Sequence, residues 1–360
     1  MKNAKSFVIV IMTASMLSFF SCNGYEEDDY SYKMASFTPN LPLQDSVMDL
    51  DFYRITFLPS TAHKIMMPNS NADEDRLSYY NVIEKDGEYT MVYSFTSRNA
   101  EKLLGNPNLA REIRKKSSPD GKTWTHLEPP RSIAGYSGLY HKRSSQEQFF
   151  FYDQHTDTYR IIFNELSYNH KWSCLMMSSQ DGAIWENTTK LWEGICDTQY
   201  SVLTAQNKYY IYRRHFKSDK RCIALVIVDD KGNIIKDAQM VYESKDPNYP
   251  HVYNSAVCKV DENLTLCFPT FFNQTTDAIN IRIGTVNNYY ALNILPYDIS
   301  HFLCPQEQLS LMQWILVSPN LIPAEEDNHY WLYFTCCPQI HSATKKNTFY
   351  ARVKLIIEPL

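Results

Sequence analysis

The stretch Ser178–Arg214, SSQDGAIWENTTKLWEGICDTQYSVLTAQNKYYIYRR, decides how the rest of the chain is read. It opens with Ser-Ser-Gln-Asp-Gly, which is turn chemistry. An aspartate carboxylate accepts nearby turn amides, and glycine takes a positive φ without steric cost. Trp185 then returns the chain to an apolar layer. The triplet Asp197-Thr198-Gln199 follows, and the stretch closes in Tyr209–Tyr212, an aromatic strand ending on Arg213 and Arg214.

Both halves of this stretch recur. Ser117-Ser118-Pro119-Asp120-Gly121-Lys122-Thr123-Trp124 repeats S-S-x-D-G-x-x-W about 60 residues earlier. Runs like Tyr209–Tyr212 occur at Tyr89–Phe95, Tyr159–Phe163, Leu264–Phe268 and Tyr330–Phe334, spaced roughly 50 to 70 residues apart. That period is too long for a simple meander and suits four-stranded blades with long loops. The expected fold is all-β, a five-bladed β-propeller over residues 46–360. Asp120 and Asp181 are expected to hold turns. One helical stretch is expected, Asn99–Lys115, interrupted by Gly105-Asn106-Pro107.

Composition narrows the function classes. With 44% apolar residues and 26 tyrosines the chain can fill a large core. A net charge of −5 supplies no basic surface for phosphate backbones, so nucleic acid is not an expected partner. At the N-terminus, Lys2 and Lys5 precede the apolar run Phe7–Phe20, which is too short for a comfortable membrane span. Ser21-Cys22 after such a run reads as a bacterial lipoprotein cleavage site. Residues 1–21 are then a signal peptide, Cys22 carries the lipid, and 22–45 form an acidic flexible tether containing Glu26-Glu27-Asp28-Asp29. The expected location is the outer membrane or cell surface, with membrane contact through the lipid only and the protein a monomer. The alternative is an ordinary secretory signal with a chance cysteine. The other eight cysteines show no zinc-site spacing and are expected as buried thiols; no metal or other cofactor is expected.

With these pieces placed, the chain from about residue 50 onward resembles the five-bladed β-propeller glycosidases of the group holding glycoside hydrolase families 43 and 32. The resemblance is carried by Tyr79–Tyr93, Phe149–Phe163, Cys196–Arg214, His251–Phe271, Tyr330–His341 and the two Asp-Gly turns. The chain departs from that pattern at His251-Val252, where relatives tend to carry an acidic residue, and at Ser137–Tyr140, where they carry paired asparagines.

Glycoside hydrolysis needs one carboxyl to protonate the leaving group and another to activate water or attack carbon. Propellers supply such groups from the inner strands of different blades. Asp197 stands just before a strand, Asp153 ends the apolar run Phe149–Tyr152, and Glu74 precedes Tyr79–Ile83. These three are the expected catalytic residues. Gln199, Arg214, Tyr253, Asn254 and His341 are expected to bind sugar. A divalent cation in the channel, present in some relatives, is left open by the resemblance. The competing reading is a glycan-binding lipoprotein that kept the propeller and lost catalysis.

Overall fold

The computed structural model describes residues 46–65, 75–97, 111–124, 131–135, 144–166, 171–194, 198–303, 314–337 and 349–360. Cys22, Glu74, Asp197 and His341 lie outside the described residues, as do the signal and tether segments. Among the described residues no helix is long and apolar enough to cross a membrane.

Each of the five aromatic runs becomes the second strand of its own blade. Blade I is β3 (Asp75–Lys85), β4 (Glu88–Ser97), β5 (Arg111–Ser118) and β6 (Arg131–Gly135), paired in that order. Blade II is β7 (Ser144–Asp153), β8 (Thr158–Leu166), β9 (Trp172–Ser179) and β10 (Glu186–Glu193). Blade III is β11 (Ser201–Ala205), β12 (Lys208–Lys217), β13 (Lys220–Asp229) and β14 (Ile234–Tyr242). The inner strands β3, β7 and β11 touch in sequence around the centre.

Blade IV is built from interrupted strands. Its innermost line is β15 (His251–Asn254) continued by β16 (Val257–Lys259), and the next is β17 (Thr265–Cys267) continued by β18 (Thr270–Asn273). Then come β19 (Ala278–Ile281) with β20 (Gly284–Asn287), and β21 (Ala291–Ile294) outermost. Pro269 stands at one interruption, where it has no N–H to give to a ladder. Its carbonyl and that of Ala256 still accept Arg282 N–H and Phe268 N–H at 3.0 Å each, so the two halves stay in line.

Blade V closes the ring. After a short helix α1 (Ser300–Leu303), β22 (Trp314–Pro323) is innermost, followed by β23 (His329–Cys337) and β24 (Phe349–Pro359). The N-terminal strand β2 (Tyr53–Lys64) pairs with β24, and β1 (Ser46–Leu50) covers β2. Both ends of the described chain thus meet in one sheet. β16 touches β22 and β22 touches β3, which completes a cycle of five blades.

Apolar clusters lie between neighbouring blades because each blade buries both faces. Successive side chains of a strand point to opposite faces. Phe150 therefore packs toward blade I with Ile83, Val92 and Ile113, while Phe149 and Phe151 pack toward blade III with Tyr200, Tyr209 and Ile211. Tyr210 and Tyr212 pack toward blade IV with Val252, Val257 and Phe271. Two-sided burial explains why these strands read as continuous apolar runs rather than alternating ones.

The Asp-Gly turns behave as the sequence indicates. Asp120 Oδ1 accepts Lys122 N–H at 2.8 Å and Thr123 N–H at 2.7 Å, and Asp181 Oδ1 accepts Ala183 and Ile184 N–H at 2.8 Å each. Both turns connect the third strand of a blade to its outermost one. The expected helix over Asn99–Lys115 is corrected where it is described: Arg111–Lys115 belong to β5. β5 pairs with β4 from Tyr89↔Ser118 to Thr96↔Arg111, and Ile113 is fully buried. Ladder formation and burial override a local helix preference of a few tenths of a kcal/mol per residue. Cys174, Cys222, Cys258, Cys267 and Cys336 are buried, as expected for cysteines within apolar strand patterns.

Two outcomes follow. At Gly121 φ is +62°, and a Cβ would come within 2.5 Å of Tyr333 Oη and 2.6 Å of Tyr89 Cδ1. Gly121→Ala is expected to cost about 2–4 kcal/mol in urea unfolding, against about 1–2 kcal/mol for Gly87→Ala, where only the backbone is strained. Equal losses would count against the packing account. Second, Asp120 and Asp181 are both held at about 2, below the usual 3.8. At Asp120 burial pushes upward but the turn amides and Ser118 hydroxyl outweigh it; at Asp181 the Ile184 and Ala183 amides dominate. A carboxyl with a depressed folded pKa contributes stability that is present above its unfolded value and vanishes as pH falls through the folded one. Thermal stability is therefore expected to fall between pH 3.8 and about 2. The fall should be shallower in the Asp120→Asn/Asp181→Asn variant, and parallel curves would refute the assignment.

Candidate functional site at one mouth of the channel

Inner strands lining a channel have one edge without a ladder partner, and buried backbone groups there need other partners. Side-chain amides supply them. Asn81 of β3 donates from Nδ2 to Phe150 O and accepts Phe150 N–H at 3.0 Å. Gln148 of β7 donates from Nε2 to Tyr79 O at 2.8 Å and Val92 O at 3.2 Å. Gln199 Nε2 crosses from blade III to Tyr80 O at 2.9 Å and Gln148 O at 3.1 Å. Asn320 of β22 donates to Val82 O at 2.9 Å.

Three inner strands carry a β-bulge near their N-terminal ends: β3 at Tyr79, β7 at Glu147-Gln148 and β15 at Tyr253. Bulges break the pleat and re-aim side chains, and they recur beside active sites. Tyr79 and Glu147 sit at positive φ, +35° and +60°, a region that costs a non-glycine residue of order 1–3 kcal/mol. These bulged ends meet at one mouth. Tyr79 Oη lies 3.5 Å from Tyr253 Oη, and Thr198 Oγ1 donates to Asn254 Oδ1 at 3.4 Å. Asn254 also accepts Ser255 N–H at 2.9 Å, while its Nδ2 is buried without a hydrogen-bond partner among the described residues, the whole residue being 3% exposed.

Arg214 lies against Tyr253, with Cζ 4.3 Å from the ring centroid and Nη2 donating to Tyr253 O at 3.0 Å. Four of the residues expected to bind sugar are therefore neighbours at this mouth. Their polar ends are unequally engaged: Gln199 and Arg214 make internal bonds, whereas Asn254 keeps a donor unspent.

Asp153 is the described candidate that the fold sets apart. It ends β7, about 20 Å along the strand from Glu147. There its carboxylate accepts the Tyr209 hydroxyl at 2.6 Å, the Thr156 hydroxyl at 2.7 Å and His155 N–H at 3.1 Å. Burial alone would raise its pKa, but these bonds and nearby Arg160 prevail and hold it below the usual range. Asp153 closes the β7–β8 turn and pins it to blade III. At that opposite mouth a cavity of about 150 Å³ is lined by Phe151, Tyr152, Thr204, Lys259 and Leu321, the later residues of four inner strands.

The acid that sequence reasoning missed is Glu147. It is 1% exposed, its carboxylate accepts Asn164 Nδ2 at 2.7 Å, and Asn164 Oδ1 accepts the Tyr200 hydroxyl at 2.6 Å. Tyr200 follows Gln199 directly. The available signal was Gln146-Glu147-Gln148, a polar run opening an otherwise apolar strand. Among the described residues no three His, Cys, Asp or Glu side chains gather to hold a cation.

Truncating Gln199 to Ala removes the donor shared by two buried carbonyls of blades I and II. Urea unfolding is expected to show a loss of about 2–3 kcal/mol, and a change below 0.5 kcal/mol would mean that Gln199 is not a structural tie.

No family model matches the chain, and no curated protein matches it. Solved structures do. The catalytic domain of a Coprinopsis cinerea GH62 α-L-arabinofuranosidase aligns over 83% of this chain and 98% of its own, with TM-score 0.54 and 9% identity. An N-acetylgalactosamine deacetylase from F. plautii, in complex with blood group B trisaccharide, aligns over 85% and 96%, with TM-score 0.58 and 9% identity. A thermostable family-43 glycoside hydrolase aligns over 79% and 90%, with TM-score 0.54 and 8% identity. At such identities the likeness is one of fold: the chain has the all-β, five-bladed propeller architecture of the family 43 and 62 glycoside hydrolases.

Proposed function

We propose that this protein is a carbohydrate-active, lipid-anchored propeller of the bacterial cell surface, and that it hydrolyses glycosidic bonds at the mouth formed by Tyr79, Thr198, Tyr253 and Asn254. One observation carries the reading: residues chosen from sequence as sugar contacts in blades III and IV are neighbours at the bulged ends of the inner strands. Asp197 directly precedes Thr198, a residue of this mouth, in the chain. It takes the leading catalytic role. Glu74, just before β3, is its proposed partner carboxylate. Asp153 is not retained in that set, because its bonds and its position serve the opposite end of β7. Glu147 replaces it as the blade II carboxylate, acting through Asn164 and Tyr200 to position the blade III segment.

The division of labour follows from what each group can do. A tyrosine pair offers flat, amphipathic surface for a sugar ring and hydroxyls for its edge. Asn254 Nδ2 supplies an amide donor whose burial is costly until a ligand oxygen accepts it. A protonated carboxyl assists departure of the leaving group, and an ionised one activates water or attacks the anomeric carbon. The glycan-binding reading is favoured by one feature, the commitment of Gln199 and Arg214 to internal bonds.

The purified full-length protein is to be incubated with a glycan panel, scoring both new reducing ends and retention. Asp197→Asn is expected to lower turnover by about 10²–10⁴-fold with binding kept. Unchanged turnover in that variant refutes the assignment of Asp197. Retention without any turnover in the unaltered protein establishes the binding reading in place of hydrolysis.

A further inference from the structure

At the N-terminal end of β15, the end that faces the mouth, blade IV carries a cavity of about 390 Å³. One wall is the loop that leads into β15 through Pro247 and Pro250. The other is the turn Asn273–Thr275 at the end of β18, and His251 completes the lining. That volume falls in the range of small-molecule sites. Both walls are held in place by their own hydrogen bonds. In the loop, Ser244 Oγ donates to Tyr249 O at 2.6 Å and accepts Asp246 N–H at 3.2 Å. Asp246 in turn accepts Asn248 N–H at 2.9 Å and pairs with Arg282. In the turn, Asn273 Oδ1 accepts Thr275 N–H at 2.9 Å and Thr276 N–H at 3.0 Å, while its Nδ2 donates to Asn248 O. One carboxamide thus shapes the turn and ties it to the loop. A cavity fixed in this way, with two prolines locking φ, loses little further freedom when a ligand enters.

The lining is polar and neutral. Among the described residues it holds no acid, lysine or arginine. His251 Nδ1 accepts Arg221 N–H at 3.3 Å, which places the imidazole proton on Nε2. Burial lowers the His251 pKa first, and Arg221, Lys220 and Arg214 lower it further, so the ring is uncharged at neutral pH. The cavity therefore offers an imidazole, the Gln274 carboxamide, the Thr275 hydroxyl and the aliphatic rings of two prolines. It also adjoins the mouth. His251 and Tyr253 stand two residues apart on β15, about 7 Å at the rise of a strand. Both rings lie beside Phe272, with centroids at 6.2 Å and 6.0 Å.

We propose that this cavity is a second sugar subsite, which takes an uncharged glycosyl unit of the same chain that is held at the mouth. The inference rests on the carbohydrate reading above and adds the length and charge of the ligand: an oligosaccharide, neutral where it passes His251. A sugar hydroxyl both donates and accepts, so neighbouring hydroxyls of one ring can meet an amide, a hydroxyl and an imidazole N–H together. A carboxylate or sulfate would find no counter-charge in the lining. The short run of β15 from His251 to Tyr253 lets one linked chain engage the cavity and the phenol of the mouth at the same time.

Calorimetric titration of the full-length protein tests this with cello-, manno- and galacto-oligosaccharides of increasing length, and with oligogalacturonides of the same lengths. In one neutral series the longer members are expected to bind about tenfold or more tighter than the monosaccharide. Gln274 and Thr275 are exposed turn residues, so Gln274→Ala/Thr275→Val should leave the urea unfolding midpoint unchanged. That variant should erase the gain with length and leave the monosaccharide affinity as it was. Thr275→Trp, which fills the cavity instead of stripping it, should do the same. A gain with length that survives both variants overturns the subsite, as does measurable binding that is independent of length; either leaves the carbohydrate reading standing. A gain confined to the oligogalacturonides overturns the neutral chemistry assigned to the cavity. Absence of binding by every oligosaccharide overturns both the subsite and the reading on which it rests.

Discussion

The structure depends on how five inner strands satisfy backbone groups that no ladder can reach. In each blade the innermost strand has a partner on one side only, and its other edge faces its counterparts around the centre. Water-filled space at that edge would leave the blades joined by apolar contact alone. Asn81, Gln148, Gln199 and Asn320 instead place carboxamides on the backbone of neighbouring blades. An amide both donates and accepts, so one side chain can reproduce part of a missing strand, as Asn81 does with Phe150. Buried bonds of this kind are expensive to leave half-made, which gives the ring a single register.

Around that centre, side-chain alternation does the rest. One set of residues on each strand packs clockwise and the other anticlockwise, so every seam is shared by two blades. The terminal strands β2 and β24 close the fifth blade through a ladder running from Tyr53↔Pro359 to Lys64↔Ala351. Tyr80 then donates its hydroxyl to Phe334 O and Ala351 O of blade V, so the first blade is fastened to the last at its core. Arg352, stacked on Trp331 at 4.0 Å, reaches the Asp120 carbonyl at 3.0 Å and fixes the first Asp-Gly turn to the same joint.

Rigidity of this kind allows strain to be kept where it is useful. The bulges at Tyr79, Glu147 and Tyr253 would be unstable in an isolated hairpin, and the surrounding blades hold them. They turn two phenols inward and bury a carboxylate at the end where Thr198 and Asn254 meet.

The sequence by itself determined the repeat. An Asp-Gly turn holds its own amides, and an aromatic run is apolar on both faces, so each is set by residues a few positions apart and was legible without the fold. The same local logic put Gln199, Arg214, Tyr253 and Asn254 near strand ends. It erred over Arg111–Lys115, whose modest helix preference yields to pairing with β4, and it could not tell one end of β7 from the other. Asp153 and Glu147 are both acids at the limits of an apolar strand. Only the tertiary structure decides which limit faces the mouth with Tyr79 and Tyr253 and which closes a turn against Tyr209, because that choice depends on the direction of each strand around the ring, a property of the closed assembly and of no single segment.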